Sequence, residues 1–275
     1  MAWLIFFLSF VFFEAQTLNA FPFNVEEIKN HIDEKFAQAT VETYPFPHLT
    51  IENILPENVY NELLAHWPET YFNPAKQQSV LTFGLFNPIQ EPVIYSIWTE
   101  FYSLVDTVIK KKIAELFTRY SFLRFNQQVP GKYLCNSKGL MDHRLVEERG
   151  PGISPHIDQG YIFAAMAIYF PALNDYNHTD LGTYFYIHRN NKTSTDICYD
   201  HDVVQVKSAP YKPNTLSVWL QTDHSWHSGP LHFPDRGYVR RFYLTLVYLS
   251  PTVMKSLYGH TFNFPEELLD ETYLY

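Results

Sequence analysis

The sequence feature that most constrains the fold is a change of hydrophobic pattern near residue 132. From there on, short apolar and aromatic segments are separated by Gly, Pro, Asn and Asp, which is typical of β-strands joined by turns. Several short strands at close spacing predict a sandwich or a barrel. The segments are LMDHRLVEER, YIFAAMAIYF, TYFYIHR, DVVQVKSA, TLSVWLQT and RRFYLTLVYL.

Before residue 132, apolar residues recur mainly at helical spacing. Asn24 is a predicted N-cap for an amphipathic helix in VEEIKNHIDEKFAQA, and a longer helix is predicted roughly from Val93 to Tyr120. Between them we expect an extended segment, a short helix after Pro56, and a loop at 68–92 with one strand at most. This half of the chain is therefore predicted to be mostly helical.

The domain organisation follows from the absence of a Gly/Ser-rich linker between the two halves. We predict a single α+β domain at 21–275, mainly β, in which helices from about 24–120 pack outside a β core of about 132–250. The chain is 46% hydrophobic and 18% charged, which is enough apolar material for a sizeable core.

The charge balance argues against a nucleic-acid partner. The net charge is −9, whereas affinity for a phosphate backbone depends on clustered Lys and Arg. No basic run is longer than Lys110-Lys111-Lys112, which lies in a helical pattern and is interpreted as a solvated face.

The N-terminal segment MAWLIFFLSFVFFEAQTLNA predicts a signal peptide at 1–20. Its apolar run is shorter than the roughly 20 residues of a transmembrane helix, so no stable membrane span is expected. The expected location is the secretory pathway or outside the cell, or the cytoplasm if the segment is not a signal. Sequons at Asn177 and Asn191 fit secretion, and whether Cys135 and Cys198 form a disulfide is left open.

The triplet His-x-Asp, a common metal-binding pair, occurs three times. His31 and Asp33 lie in the predicted helix, where residues two apart point about 200° apart, so they cannot share an ion. His156 and Asp158 lie in an extended segment, ERGPGISPHIDQG, where residues two apart project from the same face. The third copy, at 178–180, lies in a polar loop that fixes neither side chain. The pattern therefore favours His156 and Asp158.

A third ligand is needed to complete a facial site. Two histidines and one carboxylate leave three positions of a six-coordinate Fe(II) open for a co-substrate and O₂. The segment TLSVWLQTDHSWHSGPLHF offers His224, His227 and His232, all in or beyond a turn. Position alone leaves the choice among these three open.

An ordered set of motifs carries a family resemblance. GPGISPHIDQ, LGTYFYIHR, PNTLSVW, SWHSG and RRFYLT, in this order, resemble the Fe(II)/2-oxoglutarate-dependent dioxygenases, specifically the prolyl 4-hydroxylase-like superfamily. YPFPHLTIENILPENVYNELLAHWPE also resembles the entry segment of several such oxygenases, so the resemblance covers roughly residues 44–250.

The resemblance implies a double-stranded β-helix, or jelly roll, with the metal at its mouth. It implies that His156, Asp158 and His227 are the iron ligands. The presence of Asp158 favours hydroxylation, because related halogenases have a small residue in its place.

The resemblance also implies a basic residue, 10 to 15 positions after the distal histidine, for the far carboxylate of 2-oxoglutarate. Arg240 and Arg241 lie 13 and 14 positions after His227. Arg241 matches the pattern better in RFYLT, with Arg240 then facing outward. Tyr133, Arg144 and Tyr243 are further expected to line the co-substrate pocket.

The implied activity is hydroxylation with release of succinate and CO₂, using Fe(II), 2-oxoglutarate and O₂, with ascorbate left open as a further cofactor. The prime substrate is not encoded in a readable way: a protein, peptide, glycan or small molecule all fit. Two alternatives are a non-catalytic jelly roll that binds glycan or peptide, and a zinc-dependent or cupin-like enzyme with the same ligands.

Overall fold

A computed structural model of the 275-residue chain describes residues 23–83, 89–125, 141–160, 162–171, 179–191, 193, 200–233 and 238–249. Within these residues, the long predicted helix near 93–120 is a continuous helical stretch with a π-helical segment, Val105–Ile109, in its middle. The α-helices are α1 (Val25–Gln38), α2 (Glu57–Ala65), α3 (Pro92–Leu104), α4 (Lys110–Phe117) and α5 (Phe122–Phe125).

Local sequence explains where α1 and α3 begin. The Asn24 side chain accepts a hydrogen bond from the Glu26 N–H at 3.0 Å, which confirms the predicted N-cap of α1. At α3, the Glu91 carboxylate accepts from the N–H groups of Val93 and Ile94, while Pro92 occupies the first turn. Each cap satisfies backbone donors that a helix end leaves without partners.

Nine strands form two antiparallel sheets in the described part of the chain. The larger sheet has the order β1-β7-β4-β9-β3-β2, and the smaller has the order β6-β5-β8, extended past β8 by a bridge from His156. The strands are β1 (His48–Glu52), β2 (Gln78–Phe83), β3 (Met141–Glu148), β4 (Ile162–Tyr169), β5 (Tyr184–His188), β6 (Val203–Ser208), β7 (Thr215–Leu220), β8 (His227–Ser228) and β9 (Arg240–Tyr248).

This strand order is that of a double-stranded β-helix. Strands β3, β9, β4 and β7 form the centre of one wall, and the His156 segment, β8, β5 and β6 form the other. From β3 onward the chain passes back and forth between the two walls, except at β5 and β6, which are consecutive and pair with each other in the smaller sheet. The predicted jelly roll and its flanking helices are confirmed.

The space between the two sheets is filled by aromatic and small side chains. Phe185 of the smaller sheet contacts Phe46 and Trp219, with ring centroids 5.3 and 6.2 Å away. Ala165 and Ala167 of β4 belong to the same buried cluster. Small residues on one wall thus leave room for large rings on the other.

The helices cover the other face of the larger sheet. Trp98 of α3 lies edge-on to Phe170 at 5.7 Å, and Phe101 lies edge-on to Tyr243 at 5.1 Å. Because both faces of this sheet are covered, β4 is buried along its whole length. The larger sheet is therefore the middle layer of the fold.

The N-terminal half contributes two strands to the larger sheet: β1 lies in the predicted extended segment, and β2 is the one strand expected at most in the loop at 68–92. Strand β1 pairs with β7 at one edge, and β2 pairs with β3 at the other. Both are short, and each lies in a segment expected to be extended or looped. They widen the wall from four strands to six.

Several expectations lie outside the described residues. These are the signal peptide at 1–20, the pocket residue Tyr133, the pairing of Cys135 with Cys198, and the sequon at Asn177. In the described part of the chain, no helix is both long enough and apolar enough to cross a membrane.

Candidate metal centre

Strand pairing brings the predicted ligands from two segments together. The His156 N–H donates to the carbonyl of His227 at 3.0 Å, and the His227 N–H donates to the carbonyl of His156 at 2.9 Å. The two residues are thus directly opposite each other, and their ring centroids are 4.5 Å apart. The backbone itself fixes the spacing of these two histidines.

The Asp158 carboxylate lies against both imidazoles. Its Oδ1 is 3.7 Å from His156 Nε2, and its Oδ2 is 3.5 Å from His227 Nε2. The three ligand atoms all lie within 4.8 Å of one another, the one such trio among the described residues. Ligand atoms about 2.1 Å from an ion at right angles are about 3 Å apart, so a small contraction brings all three into coordination reach.

Asp158 Oδ2 is the atom that most clearly indicates a cation site. It is buried and has no hydrogen-bond partner among the described residues. A buried carboxylate oxygen without a partner is costly, whereas a cation at this position would satisfy it. The backbone around it is fixed, because Gln221 Nε2 donates to the carbonyl of Asp158 at 2.6 Å. The residues present fit a divalent metal ion.

Both histidines present the same nitrogen to the centre. His156 Nδ1 lies 2.9 Å from the carbonyl of Ser154, and His227 Nδ1 lies 2.9 Å from the carbonyl of Ser225. A carbonyl can only accept, so each Nδ1 carries the hydrogen and each Nε2 keeps a free lone pair. This is the orientation in which metal-binding imidazoles are usually held.

Burial keeps His227 neutral. It lowers the pKa of His227 to about 4, although the Asp158 carboxylate opposes this change, and His156 adds to it. At neutral pH the imidazole is therefore uncharged and can donate its lone pair to a metal. His224 and His232, the two other candidates, are both exposed. The structure thus singles out His227 from the three.

The two side chains of the first His-x-Asp copy have separate protein partners, as expected from their spacing on a helix. His31 Nε2 lies 2.9 Å from the carbonyl of Asn53, and Asp33 forms an ion pair with Lys112 at 2.9 Å. The two side chains have different neighbours and do not converge. In the third copy, residue 178 lies outside the described residues.

The facing of the two arginines is the reverse of the one predicted. Arg240 points into the jelly roll, is 2% exposed, and has its guanidinium carbon 4.2 Å from the centre of the Phe242 ring. Arg241 lies on the helix-covered face, where it bonds Glu147 and Glu69 at 3.1 and 2.7 Å. The prediction that Arg240 faces outward is therefore wrong, because successive residues of β9 point to opposite faces.

Tyr243 shares the helix-covered face with Arg241. Its ring packs against Phe101 and stacks on Tyr102 at 5.6 Å. The structure does not bring it together with the metal trio, so its expected place in the pocket is wrong for the same reason of strand alternation. Arg144, by contrast, shares the interior side of β3 with Val146.

Arg240 has well-defined partners of its own. It donates from Nη1 to Glu148 Oε2 at 2.6 Å and from Nε to the carbonyl of Leu181 at 2.6 Å. Burial by itself lowers the pKa of Arg240, but the Glu148 carboxylate, together with Tyr169 and Tyr211, raises the pKa overall. Glu148 was not singled out from the sequence. A sequence signal was available, because Glu147-Glu148 and Arg240-Arg241 are doublets of opposite charge in two predicted strands. The pairing of β3 with β9 places the doublets opposite each other.

A second feature missed from the sequence is the interior wall beside His227. The Trp219 ring lies 4.8 Å from the His227 ring, and His48 is the cross-strand partner of Trp219. Trp219 Nε1, His48 Nε2 and Ser217 Oγ are all buried without a hydrogen-bond partner among the described residues. His48 Nδ1 is bonded to the carbonyl of Phe46, so its bare Nε2 is an acceptor. This wall offers polar atoms to a bound molecule.

No protein-family model matches the sequence, and no curated protein matches it either. Solved structures do match. A prolyl hydroxylase from Trichoplax adhaerens, in complex with a hypoxia inducible factor peptide fragment, is 14% identical with a TM-score of 0.45, covering 82% of this chain and 90% of that one.

Two further structures are similar over comparable lengths. A Pseudomonas putida prolyl-4-hydroxylase is 11% identical with a TM-score of 0.42, covering 80% of this chain and 98% of that one. A full-length Neurospora crassa protein, solved in complex with alpha-KG, is 9% identical with a TM-score of 0.44, covering 82% of this chain and 79% of that one. At these identities the likeness concerns the fold.

Proposed function

We propose that the chain is an Fe(II)- and 2-oxoglutarate-dependent dioxygenase that hydroxylates an organic substrate and releases succinate and CO₂. The observation that carries the proposal is the orphaned, buried oxygen of Asp158, facing two imidazoles whose lone pairs are free. Two histidines and one carboxylate on one side of an ion are the donor set of non-haem Fe(II) oxygenases.

The three ligands would occupy one face of a six-coordinate ion and leave the opposite face to the reactants. Bound Fe(II), with 2-oxoglutarate and O₂, supplies the oxidising power for attack on a C–H bond. His156 and His227 hold the ion through Nε2, and the carbonyls of Ser154 and Ser225 keep the rings from turning. The interior rings around His227 exclude water from the reacting side.

Arg240 is the side chain proposed to receive the far carboxylate of 2-oxoglutarate. A Cβ placed on Gly229 would lie 3.3 Å from Arg240 Nη1, so the guanidinium rests against the strand that carries His227. Gly229 is two residues beyond His227, so Arg240 lies beside the segment that carries this ligand. From there it would reach the far carboxylate of a dicarboxylic acid whose other end is held by the metal.

The test is metal-dependent succinate formation by the full chain. His156→Ala should lose Mn(II) binding in calorimetry and lose succinate release with Fe(II), 2-oxoglutarate and O₂. His224→Ala is the matched control, because this exposed histidine lies in the turn just before β8, and its substitution should leave metal binding and succinate release unchanged. Full turnover by His156→Ala would disprove the metal assignment. No metal binding by the unaltered chain would instead favour the non-catalytic jelly roll.

The prime substrate is to be found by the same readout. Succinate release above the substrate-free rate can be screened against pools of peptides, sugars and amino acids. A pool that raises the rate in the unaltered chain, but not in Asp158→Ala, would contain the substrate.

A further inference from the structure

Arg240 and Glu148 form an ion pair inside the jelly roll. They are directly opposite each other across β9 and β3, and the side chains are 2% and 4% exposed. The second oxygen of Glu148 accepts from Gln78 Nε2 at 2.9 Å. Both oxygens of the carboxylate thus have partners, and the guanidinium charge is already balanced within the protein.

This pairing has a direct consequence for an incoming dicarboxylic acid. A second carboxylate at Arg240 would meet the Glu148 carboxylate at short range in a buried site, where repulsion between like charges is screened weakly. It would also meet a guanidinium whose three nitrogens are each already bonded, Nη1 to Glu148, Nε to the Leu181 carbonyl and Nη2 to the Gly182 carbonyl at 3.4 Å, so it would use the remaining Nη hydrogens or displace one of these partners. Either Glu148 yields its bond to Arg240, or the incoming carboxylate is held less tightly.

We propose that Glu148 is an internal competitor for Arg240, which weakens the binding of 2-oxoglutarate and reduces the selectivity of the pocket for dicarboxylic over monocarboxylic 2-oxo acids. The inference rests on the function proposed above. It adds a specificity-determining residue that acts on one end of the co-substrate alone.

A neighbouring pair provides the contrast. Glu147 is also buried and also faces an arginine, Arg241, in the next register position of the same two strands. It lies on the helix-covered face and accepts from Trp67, Arg149 and Arg241. Glu147→Gln therefore also removes a buried charge opposite an arginine, but on the face of the sheet away from the proposed co-substrate pocket.

The experiment is calorimetric titration of the Mn(II)-loaded full chain, without O₂, with 2-oxoglutarate and with 2-oxopentanoate, which lacks the far carboxylate. Glu148→Gln keeps the shape and one acceptor oxygen for the bond from Gln78, but it removes the charge and replaces the oxygen that accepts from Arg240 with an NH₂ group. It should tighten 2-oxoglutarate binding at least ten-fold and change 2-oxopentanoate binding less than three-fold. Glu147→Gln should change neither constant by more than three-fold.

The contrary results are equally definite. Unchanged or weaker 2-oxoglutarate binding by Glu148→Gln would make the ion pair purely structural and overturn the inference, while Mn(II) binding would still stand for the proposed function. If the unaltered chain binds no Mn(II), the proposed function falls, and this inference falls with it. Should Glu148→Gln not fold, as judged by circular dichroism, Glu148→Asp serves instead. It draws the carboxylate away from Arg240 and should tighten 2-oxoglutarate binding at least three-fold, and no tightening would overturn the inference.

Discussion

Among the glycines that the structure describes, Gly182 lies closest to another part of the backbone. A Cβ at this position would be 1.6 Å from the carbonyl oxygen of Ala209 and 2.7 Å from its carbonyl carbon. Bringing the first contact to 3.0 Å requires the two backbones to separate by at least 1.4 Å. The adjacent hydrogen bond from the Ala209 N–H to the Thr183 carbonyl, now 2.8 Å, would then be broken. Gly182→Ala should therefore strain the strand pair that positions Arg240.

The cost can be estimated from its parts. Overpacking of a tight interior costs about 1–3 kcal/mol, and a lost hydrogen bond about 0.5–1.5 kcal/mol. The stiffer unfolded chain offsets about 0.4–1 kcal/mol of this. Taking the midpoint of each range, we expect Gly182→Ala to lower the free energy of unfolding by about 2 kcal/mol, measured by urea titration with circular dichroism.

The control for this prediction is Gly150→Ala. There the new Cβ meets only the Gln77 side chain, at 2.9 Å from Cγ, and that side chain can move aside. Its effect should stay within about 1 kcal/mol. Equal losses for the two variants, or a loss under 1 kcal/mol for Gly182→Ala, would refute the reasoning.

Two further substitutions, measured by the same titration, test hydrogen bonds that join residues of the larger sheet or next to it to neighbouring segments. Asn214→Ala should cost about 2–3 kcal/mol, because its side chain accepts from the Leu55 N–H at 2.9 Å and donates to the Leu55 carbonyl at 2.7 Å, and because its φ of 54° disfavours alanine. Tyr169→Phe should cost about 1–3 kcal/mol, because its buried hydroxyl accepts from the Thr183 N–H at 3.0 Å and bonds the Thr183 hydroxyl at 2.7 Å. A loss below about 0.5 kcal/mol in either variant would contradict these bonds.

The strands of the jelly roll could be predicted because their apolar runs are short and bounded by turn residues. All six predicted segments contain a strand, from β3 at Met141–Glu148 to β9 at Arg240–Tyr248. The His156 and Asp158 pair was found for a similar reason, since alternation in an extended chain is a local property. Local patterns thus sufficed for the elements and for two of the three proposed ligands.

The facing of Arg240 and Arg241 could not be obtained in this way. A strand covered on one side shows its inward face by its apolar residues, but β9 is covered by helices on one side and by the smaller sheet on the other. Both faces carry large side chains, and each has one arginine opposite one glutamate. A shift of one residue in the predicted facing of β9 then exchanges the places of Arg240 and Arg241, and only tertiary packing decides between the two possibilities. The places of β1 and β2 at the sheet edges also depend on tertiary structure, because their partners β7 and β3 are distant in sequence.

The reciprocal backbone bonds between His156 and His227 have a kinetic consequence. Neither amide hydrogen can exchange with deuterium until the segment before β4 separates from β8, and that one opening would free both amides and draw the imidazoles apart. The hydrogen–deuterium exchange rates of these two amides would therefore report how often the assembled centre opens. A bound ion would slow both exchange rates together, by a factor that grows with its concentration.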